Sequence, residues 1–346
     1  MEAINQKKWL YGMTLPELDK LVVSLGAKPF VARQIAGWLY NKEVREISQM
    51  TNLSQSFRDV LCVDYEVGSI IFSSVDSSVD GTRKYLFPTL NGGAIESAYI
   101  PDKERATLCV SSQVGCKMMC SFCMTGRQGF KGNLSTGEIL NQIRNIEESD
   151  KLTNVVYMGM GEPLDNVDNV LKSIEILTAP WGYAWSPTRI TLSTIGVIPA
   201  LHRYLDESKA HLTISLHGSS AQKRGEIMPI ENKYSIEEVI DLVSGYDFTH
   251  QRRISFGYIM FSGLNDSAAD AERICNLLRG INHCRVNLIP FHEIPDSELR
   301  PSSRERMEDF RDYLTRKGVI TTIRSSRGQD IDAACGLLST KQEMNK

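Results

Sequence analysis

No stretch of the 346-residue chain approaches the roughly 18 uninterrupted apolar residues of a membrane-spanning helix. The opening run Met1-Glu2-Ala3-Ile4-Asn5-Gln6-Lys7-Lys8 lacks the apolar centre of a secretory signal. A cytoplasmic protein with no membrane partner is therefore expected. A dominant charge is also missing: 39 Lys and Arg stand against 42 Asp and Glu, a formal net charge of −3. That excludes a generic basic nucleic-acid coat but leaves RNA binding through a local patch open. The basic pairs Arg83-Lys84, Arg252-Arg253, Arg304 with Arg306, and Arg324 with Arg327 are the candidates, although such pairs are commonly solvated faces. There is no repeat period and no low-complexity segment, which excludes solenoids and biased tails. Eight cysteines are present, yet the length and their clustering do not suit a secreted disulfide scaffold. A monomer is expected.

What is present begins with three cysteines. Cys116, Cys120 and Cys123 stand in the run Gly115-Cys116-Lys117-Met118-Met119-Cys120-Ser121-Phe122-Cys123, spaced C-x3-C-x2-C. Three thiolates so close on one loop form a soft sulfur site suited to zinc or an iron–sulfur cluster. Structural zinc needs four closed ligands, and a cubane cluster normally takes four cysteines. No fourth cysteine follows at comparable spacing. Three thiolates on a 4Fe–4S cluster leave one iron open for a small molecule, as reductive cleavage of S-adenosylmethionine (SAM) requires. The spacing, with Phe122 just before the last cysteine, resembles the radical-SAM superfamily. A zinc knuckle completed by His or Asp is the competing reading.

The pattern along the chain divides into three parts. Residues 1–64 read as a small helical unit: Thr14 caps a helix with Pro16 and Glu17 in its first turn, and Leu18, Leu21, Val22 and Leu25 share one face until Gly26. Two more helices are expected at 30–40 and 54–62. Residues 65–104 change to a strand pattern, with runs at 68–75, 83–89 and 94–100 separated by Asp80-Gly81 and Asn91-Gly92-Gly93 turns. They predict a β-hairpin extension packed on the following domain. From 105 to 346, strand candidates at 107–111, 155–158, 189–193, 211–215, 254–260 and 286–289 alternate with helical patterns at 136–146, 167–177, 236–243 and 268–278. Such alternation predicts a parallel sheet. Six units fall short of a full eight-fold barrel, so the expected fold is α/β, a partial (β/α)6 TIM-like barrel.

Barrel chemistry gathers at strand carboxyl ends. Met158-Gly159-Met160-Gly161-Glu162-Pro163 follows the second strand candidate. Ser193 and Ser215-Leu216-His217 mark the ends of the third and fourth, and Asn287 sits in the sixth. Taken singly, each is an ordinary turn or a strand-end polar residue; their recurrence after a cysteine motif makes them binding candidates. Cys109 and Cys335 stand apart from the triplet and, read alone, are core or helix-capping cysteines, and Glu96, read alone, is a solvated strand residue.

The runs around Glu96, from Cys109 to Gly129, at Gly159 to Pro163, Leu192 to Gly196, Ser215 to His217 and Arg327 to Gly336 together resemble the RlmN/Cfr family of radical-SAM RNA methyltransferases. Lys28-Pro29-Phe30 and Met50-Thr51-Asn52-Leu53-Ser54 are similar to its RlmN branch. The resemblance covers nearly the whole chain and implies a set of roles. Cys116, Cys120 and Cys123 would ligate a 4Fe–4S cluster. Gly161, Glu162, Ser193, Ser215, Leu216, His217 and Asn287 would contact SAM. Cys335 would be S-methylated, Cys109 would resolve a protein–RNA adduct, and Glu96 would be the base. The implied partners are 23S rRNA at the peptidyl-transferase centre, tRNA beside the anticodon, and an external electron donor such as a flavodoxin-type reductant.

The implied chemistry follows from the target. Carbon 2 of adenine lies between two electron-withdrawing nitrogens and does not attack a SAM methyl group by a polar route. In the family's solution one SAM methylates Cys335 and a second supplies a radical that activates the new methyl group toward the ring. Cys109 then forms a disulfide with Cys335 and frees the RNA. Methylation at carbon 8, giving antibiotic resistance, uses the same cysteines and is the alternative within the family. A peptide-modifying radical-SAM maturase would need further clustered cysteines, and Cys62, Cys275 and Cys284 are scattered. A non-enzymatic zinc-binding RNA module is the remaining class.

Overall fold

The computed structural model describes residues 7–250 and 252–340. The first six residues, which enter the expectation on location and the 1–64 unit, and the last six of the 105–346 unit lie outside the described residues.

Among the described residues, ten strands form one continuous sheet: β1 (Ser74–Ser77), β2 (Arg83–Pro88), β3 (Ala94–Asp102), β4 (Arg105–Cys109), β5 (Asn154–Tyr157), β6 (Ile190–Thr194), β7 (His211–Ser215), β8 (Ile254–Met260), β9 (Arg285–Pro290) and β10 (Ile320–Ile323). Their order across the sheet is their order along the chain. From β4 to β10 every neighbouring pair is parallel. The six crossovers carry the helices Thr136–Arg144, Val167–Thr178, Ile198–Glu207, the pair Ala221–Ile227 and Ile236–Ser244, then Ala268–Leu277 and Arg304–Arg316. The six expected βα units are thus present, followed by a seventh parallel strand, β10, that the sequence pattern did not reveal.

The extension differs from expectation in how it attaches. Strands β1 to β3 are antiparallel and continue the β4 edge through hydrogen bonds, with Ala98 opposite Cys109. They belong to the barrel sheet instead of packing on it. The expected strand over 68–75 is confined to β1. Before it, the backbone is satisfied by a helix: Ile70 N donates to Asn141 Oδ1 at 3.1 Å, and Asn145 Nδ2 donates to the Ile70 carbonyl at 2.6 Å. A segment whose hydrogen bonds go to side chains has none left for a ladder. The N-terminal unit also holds a short strand, Lys8–Trp9, parallel to Tyr65–Glu66.

Register decides what each face of the parallel sheet carries. Leu192, Leu212, Ile214, Phe256, Tyr258, Val286 and Leu288 are fully buried on the helix-facing side. The alternate positions carry Ser193, Thr213, Ser215, Gly257 and Asn287. Ser193 pairs with Thr213, and Ser215 with Gly257, which pairs with Asn287. Side chains alternate along a strand, so these polar residues share the inner face.

The first helix, Leu15–Ser24, is capped by Thr14, whose backbone N donates to Glu17 Oε2 at 2.9 Å. The N-terminal unit meets the barrel where Gly137 opens the helix Thr136–Arg144. A Cβ at Gly137 would lie 2.6 Å from the Tyr11 carbonyl oxygen and 2.9 Å from the Trp9 ring. Gly137→Val should therefore wedge the two units apart at a cost of about 1–3 kcal/mol. The expected signature is a lower melting temperature and faster amide exchange over 15–64; unaltered exchange there would show that the contact does not hold the unit.

Candidate active site

The loop bearing Cys116, Cys120 and Cys123 leaves the short strand Gln113–Gly115 and ends in the turn Met124–Arg127. Four backbone bonds shape it. Cys116 N donates to the Gly129 carbonyl at 3.0 Å, Ser121 N to Ile227 at 3.0 Å, Cys123 N to Cys120 at 3.1 Å, and Met124 N to Gly336 at 2.8 Å. All three cysteines are free and line one cavity of about 170 Å³. Phe122 closes its wall, edge-on to the His217 ring at 5.0 Å and beside Phe261 at 5.8 Å.

Among the described residues, no three His, Cys, Asp or Glu side chains converge on a single-ion site. The thiols instead surround a space. Burial raises the Cys116 thiol to about 12, and burial with the two neighbouring thiols also raises Cys120 well above its ordinary value. A bound cation would remove that cost. A soft three-thiolate donor set around a cavity fits a thiolate-held iron–sulfur cluster.

The same cavity gathers the strand-end candidates. Gly161, Glu162, Ser193, Ser215, His217 and Asn287 all line it, and so does Cys335. Gly161 has φ +96°, and a Cβ there would meet the Gln113 side chain at 2.5 Å, so the turn after β5 requires glycine. Glu162 is buried. Its Oε1 accepts from Thr194 Oγ1 at 2.6 Å and Leu164 N at 3.0 Å, and its Oε2 from Ile195 N at 3.0 Å. Burial still outweighs these donors and pushes its carboxyl up to about 7. His217 Nδ1 accepts from Ile259 N at 3.0 Å, which leaves the ring proton on Nε2. Asn287 Oδ1 accepts from Thr322 Oγ1 at 2.9 Å.

Three candidates lie elsewhere. Leu216 is buried in the main core, and its backbone N donates to the Gly257 carbonyl at 2.9 Å; its side chain is not among the cavity's lining residues. Cys109 is buried against Ala98 and Ala333 and lines a second cavity of about 320 Å³, whose walls include Asp102, Arg105, His292, Arg324 and Arg327. Cys335 lines both cavities. Glu96 lines neither. It is buried on β3, contrary to the solvated strand residue its sequence context suggested, and its Oε2 accepts from Ser339 N at 2.8 Å with Lys84 Nζ 3.4 Å from Oε1. Burial raises its carboxyl and Lys84 opposes that.

Sequence reasoning missed Arg224. Fully buried, it ion-pairs with Glu231 and donates from Nη2 to the carbonyls of Ile195 at 2.7 Å and Ser215 at 3.2 Å. It thus ties together the ends of β6 and β7. Within Gln222-Lys223-Arg224-Gly225-Glu226 it reads as one more solvated helix charge, and nothing local distinguishes it.

Burial, with Arg224 nearby, lowers the His217 pKa to about 3. A folded pKa below the unfolded one near 6.5 stabilises above 6.5 and is lost as pH falls. Between pH 7 and pH 5 the loss from this residue is about 2 kcal/mol. His217→Asn keeps an acceptor for Ile259 N and should flatten that part of the pH–stability curve. An equal acid slope in variant and parent, by thermal melts at both pH values, would contradict the neutral buried imidazole.

Comparison with known proteins identifies the group. Residues 110–278 match the radical SAM superfamily model, and residues 9–67 match the ribosomal RNA large subunit methyltransferase N-terminal domain. The chain is 56% identical over 337 residues to "Probable dual-specificity RNA methyltransferase RlmN" of Bacteroides thetaiotaomicron, covering 97% of each chain. It is 56% identical over 341 residues to the protein of that description from Phocaeicola vulgatus, covering 98% of this chain and 97% of the other. The crystal structure of a radical SAM methyltransferase from Sphaerobacter thermophilus superposes with a TM-score of 0.87 at 36% identity, covering 95% of this chain and 98% of that one. Membership in this group implies a 4Fe–4S cluster and SAM as cofactors, and the three-thiol donor set suits the cluster. With its cysteine cavity at the strand ends and its likeness running from end to end, the chain belongs to the RlmN family of radical SAM RNA methyltransferases.

Proposed function

We propose that the protein methylates carbon 2 of adenosine in 23S rRNA, at the peptidyl-transferase centre, and in tRNA beside the anticodon. Two SAM molecules are used per turnover. The observation that carries this reading is the position of Cys335, in the wall shared by the cavity of the three cysteines and the cavity of Cys109. One sulfur can thus take a group in one cavity and deliver it in the other.

When bound, the cluster and SAM together supply the one-electron cleavage that yields a hydrogen-abstracting radical. Cys116, Cys120 and Cys123 hold the cluster. The backbone at Gly161 and the side chains of Glu162, Ser193, Ser215, His217 and Asn287 offer the polar contacts for SAM, and Leu216 contributes through its backbone. Cys335 gives up its thiol proton and takes a methyl group at sulfur by displacement, with S-adenosylhomocysteine leaving; after that methyl group loses one hydrogen atom to the radical, its carbon bonds to carbon 2 of the adenine. Glu96 takes the ring proton as the adduct gives up one electron, so that the electron spent in the cleavage is returned. Its burial-raised carboxyl suits a base, and Oε2 keeps acceptor capacity beyond the bond from Ser339 N. The Cys109 thiolate then attacks the Cys335 sulfur, forming the Cys109–Cys335 disulfide and breaking the sulfur–methylene bond, and the RNA leaves as its new carbon takes a proton to become a methyl group. Burial pushes the Cys109 thiol up to about 12. Its thiolate is therefore scarce at neutral pH, and its attack on the Cys335 sulfur requires loss of that proton.

The N-terminal unit, residues 1–64, helps hold RNA through Lys28, Arg33 and Lys42. Arg45 is less available for phosphate, because it donates to Ser69 Oγ at 2.9 Å and also bonds Asn145. An external flavodoxin-type reductant supplies the electron for the cleavage and the two electrons that return the Cys109–Cys335 disulfide to thiols. The protein acts in the cytoplasm as a monomer; among the described residues no helix is long and apolar enough to cross a membrane.

RNA deuterated at one adenine ring carbon separates carbon 2 from carbon 8. Nucleoside mass spectrometry should show loss of the carbon-2 label and retention of the carbon-8 label in the methylated product; the reverse pattern would assign the carbon-8 reaction.

The two distant cysteines should fail differently. Cys335→Ala should make no methylated RNA. Cys109→Ala should stall with RNA attached through Cys335, seen as a heavy, ribonuclease-sensitive band on a denaturing gel. Methylation by Cys335→Ala would remove the thiomethylene route, and free turnover by Cys109→Ala would make that cysteine a packing residue.

A further inference from the structure

Cys335 sits on a strap that leaves β10 and is described to residue 340, with the single turn Gln329–Ile331 as its regular structure. Two sets of contacts hold it. After Cys335, Met124 N donates to the Gly336 carbonyl at 2.8 Å, Thr125 Oγ1 to the Leu338 carbonyl at 2.8 Å, and Ser339 N to Glu96 at 2.8 Å. Before Cys335, Arg327 pairs with Asp102 at the end of β3 at 3.5 Å, and the other contacts run to the β1–β2 turn of the extension, about 250 residues away in sequence. Ser78 Oγ donates to Asp330 Oδ1 at 2.6 Å and Val79 N to Asp330 Oδ2 at 3.2 Å. In the other direction, Gly328 N donates to Asp80 Oδ2 at 2.9 Å.

The grip is reciprocal and preformed. Asp80 Oδ1 accepts from Thr82 N at 2.9 Å, and Ser78 N donates to the Thr82 carbonyl at 2.8 Å, so the turn is fixed before the strap meets it. These donors favour the ionised form of each carboxyl and pull both aspartates below the ordinary range. Among the described residues, none of β1, β2 or their turn lines either cavity. The turn therefore has no direct place at the chemistry, yet it holds the residue that does.

We infer that Asp80 and Asp330 are positioning residues that clip the strap to the β1–β2 turn and so keep Cys335 in the wall between the two cavities, within reach of Cys109. The inference rests on the reading of Cys335 and Cys109 as a reacting pair, but it is tested apart from methylation. A thiol held at a fixed place meets its partner at a higher effective concentration than one on a loose loop. Releasing the clip lowers that concentration and leaves the rest of the fold as it was.

The test uses oxidised glutathione as a probe on the full-length, cluster-loaded chain without SAM or RNA. One protein thiolate attacks the glutathione disulfide and releases one glutathione thiolate. The second protein thiolate then attacks the mixed disulfide and releases another. Two protein thiols are thereby oxidised and one disulfide is reduced to two thiols. Peptide mass spectrometry follows the Cys109–Cys335 disulfide. Asp330→Ala should form it about tenfold more slowly, with glutathionylation of Cys62 and Cys275 unchanged and the near-ultraviolet circular dichroism preserved. Asp330→Asn keeps an acceptor and should fall between parent and alanine variant. If Asp330→Ala does not fold, Ser78→Ala combined with Asp330→Asn carries the test with the same expected slowing. A parent-like rate in Asp330→Ala and in the Asp80→Asn/Asp330→Asn pair would overturn the clip, as would a parent chain that forms no such disulfide. Methylation by a Cys335→Ala chain would instead overturn the functional reading and leave these rates unaffected.

Discussion

The alternation of side chains along parallel strands is the constraint on which the rest of this structure depends. From β5 to β9, one face carries the large apolar residues that the crossover helices cover. Its opposite face carries Ser193, Thr213, Ser215, Gly257 and Asn287. A slip of one residue in any strand would exchange the two sets. Burial of Leu192, Leu212, Phe256 and Leu288 against the helices makes such a slip costly. The packing that stabilises the sheet is thus what aims the polar row inward. No stabilising interaction among those polar residues is needed to explain where they stand.

A second layer of order acts on the loops at the strand ends. Arg224 reaches two carbonyls, one following β6 and one ending β7, and it does so while fully buried, with Glu231 as its counter-ion. A buried charge without such partners would be costly. Here the carbonyls and the carboxylate take up its two terminal nitrogens, and the strand ends gain a link. Glu162 follows a similar logic with opposite sign: a buried carboxyl receiving three donors from the ends of neighbouring elements. The region beside the three-cysteine loop is therefore held by buried polar groups with partners, beneath a strap that is comparatively free of regular structure.

Much of this was legible in the sequence, and the parts that were not share a cause. Strands β7 and β8 have the bounds their patterns suggest, because each is a short run flanked by breaks in periodicity. The cysteine triplet and the Ser, His and Asn positions at strand ends carry chemistry in their residue types. The helix Arg304–Arg316 was missed because it is strongly polar and buries only Met307, Phe310 and Leu314; the cap at Ser303 and the stop at Gly318, φ +90°, were the available signals. The edge strand β10 is four residues long with Ile320 half exposed, too short for periodicity to declare it. The segment before β1 has strand-like composition, yet its backbone is claimed by Asn141 and Asn145 from a distant helix. Arg224 and Glu96 looked like solvated charges because burial is decided by what packs over a residue, not by its neighbours in the chain.

By itself, the sequence determined the alternation of strand and helix, the three-thiolate motif and, through resemblance, the family with its two distant cysteines. These are properties of spacing and residue type, which survive any arrangement in space. Only the tertiary structure decided that Cys335 stands between two cavities, that the extension continues the barrel sheet and grips the strap, and that Glu96 is buried beneath residue 339. Each of these is a contact across many tens to hundreds of residues. Such contacts depend on how the whole sheet orders its strands, information that no local run of residues contains.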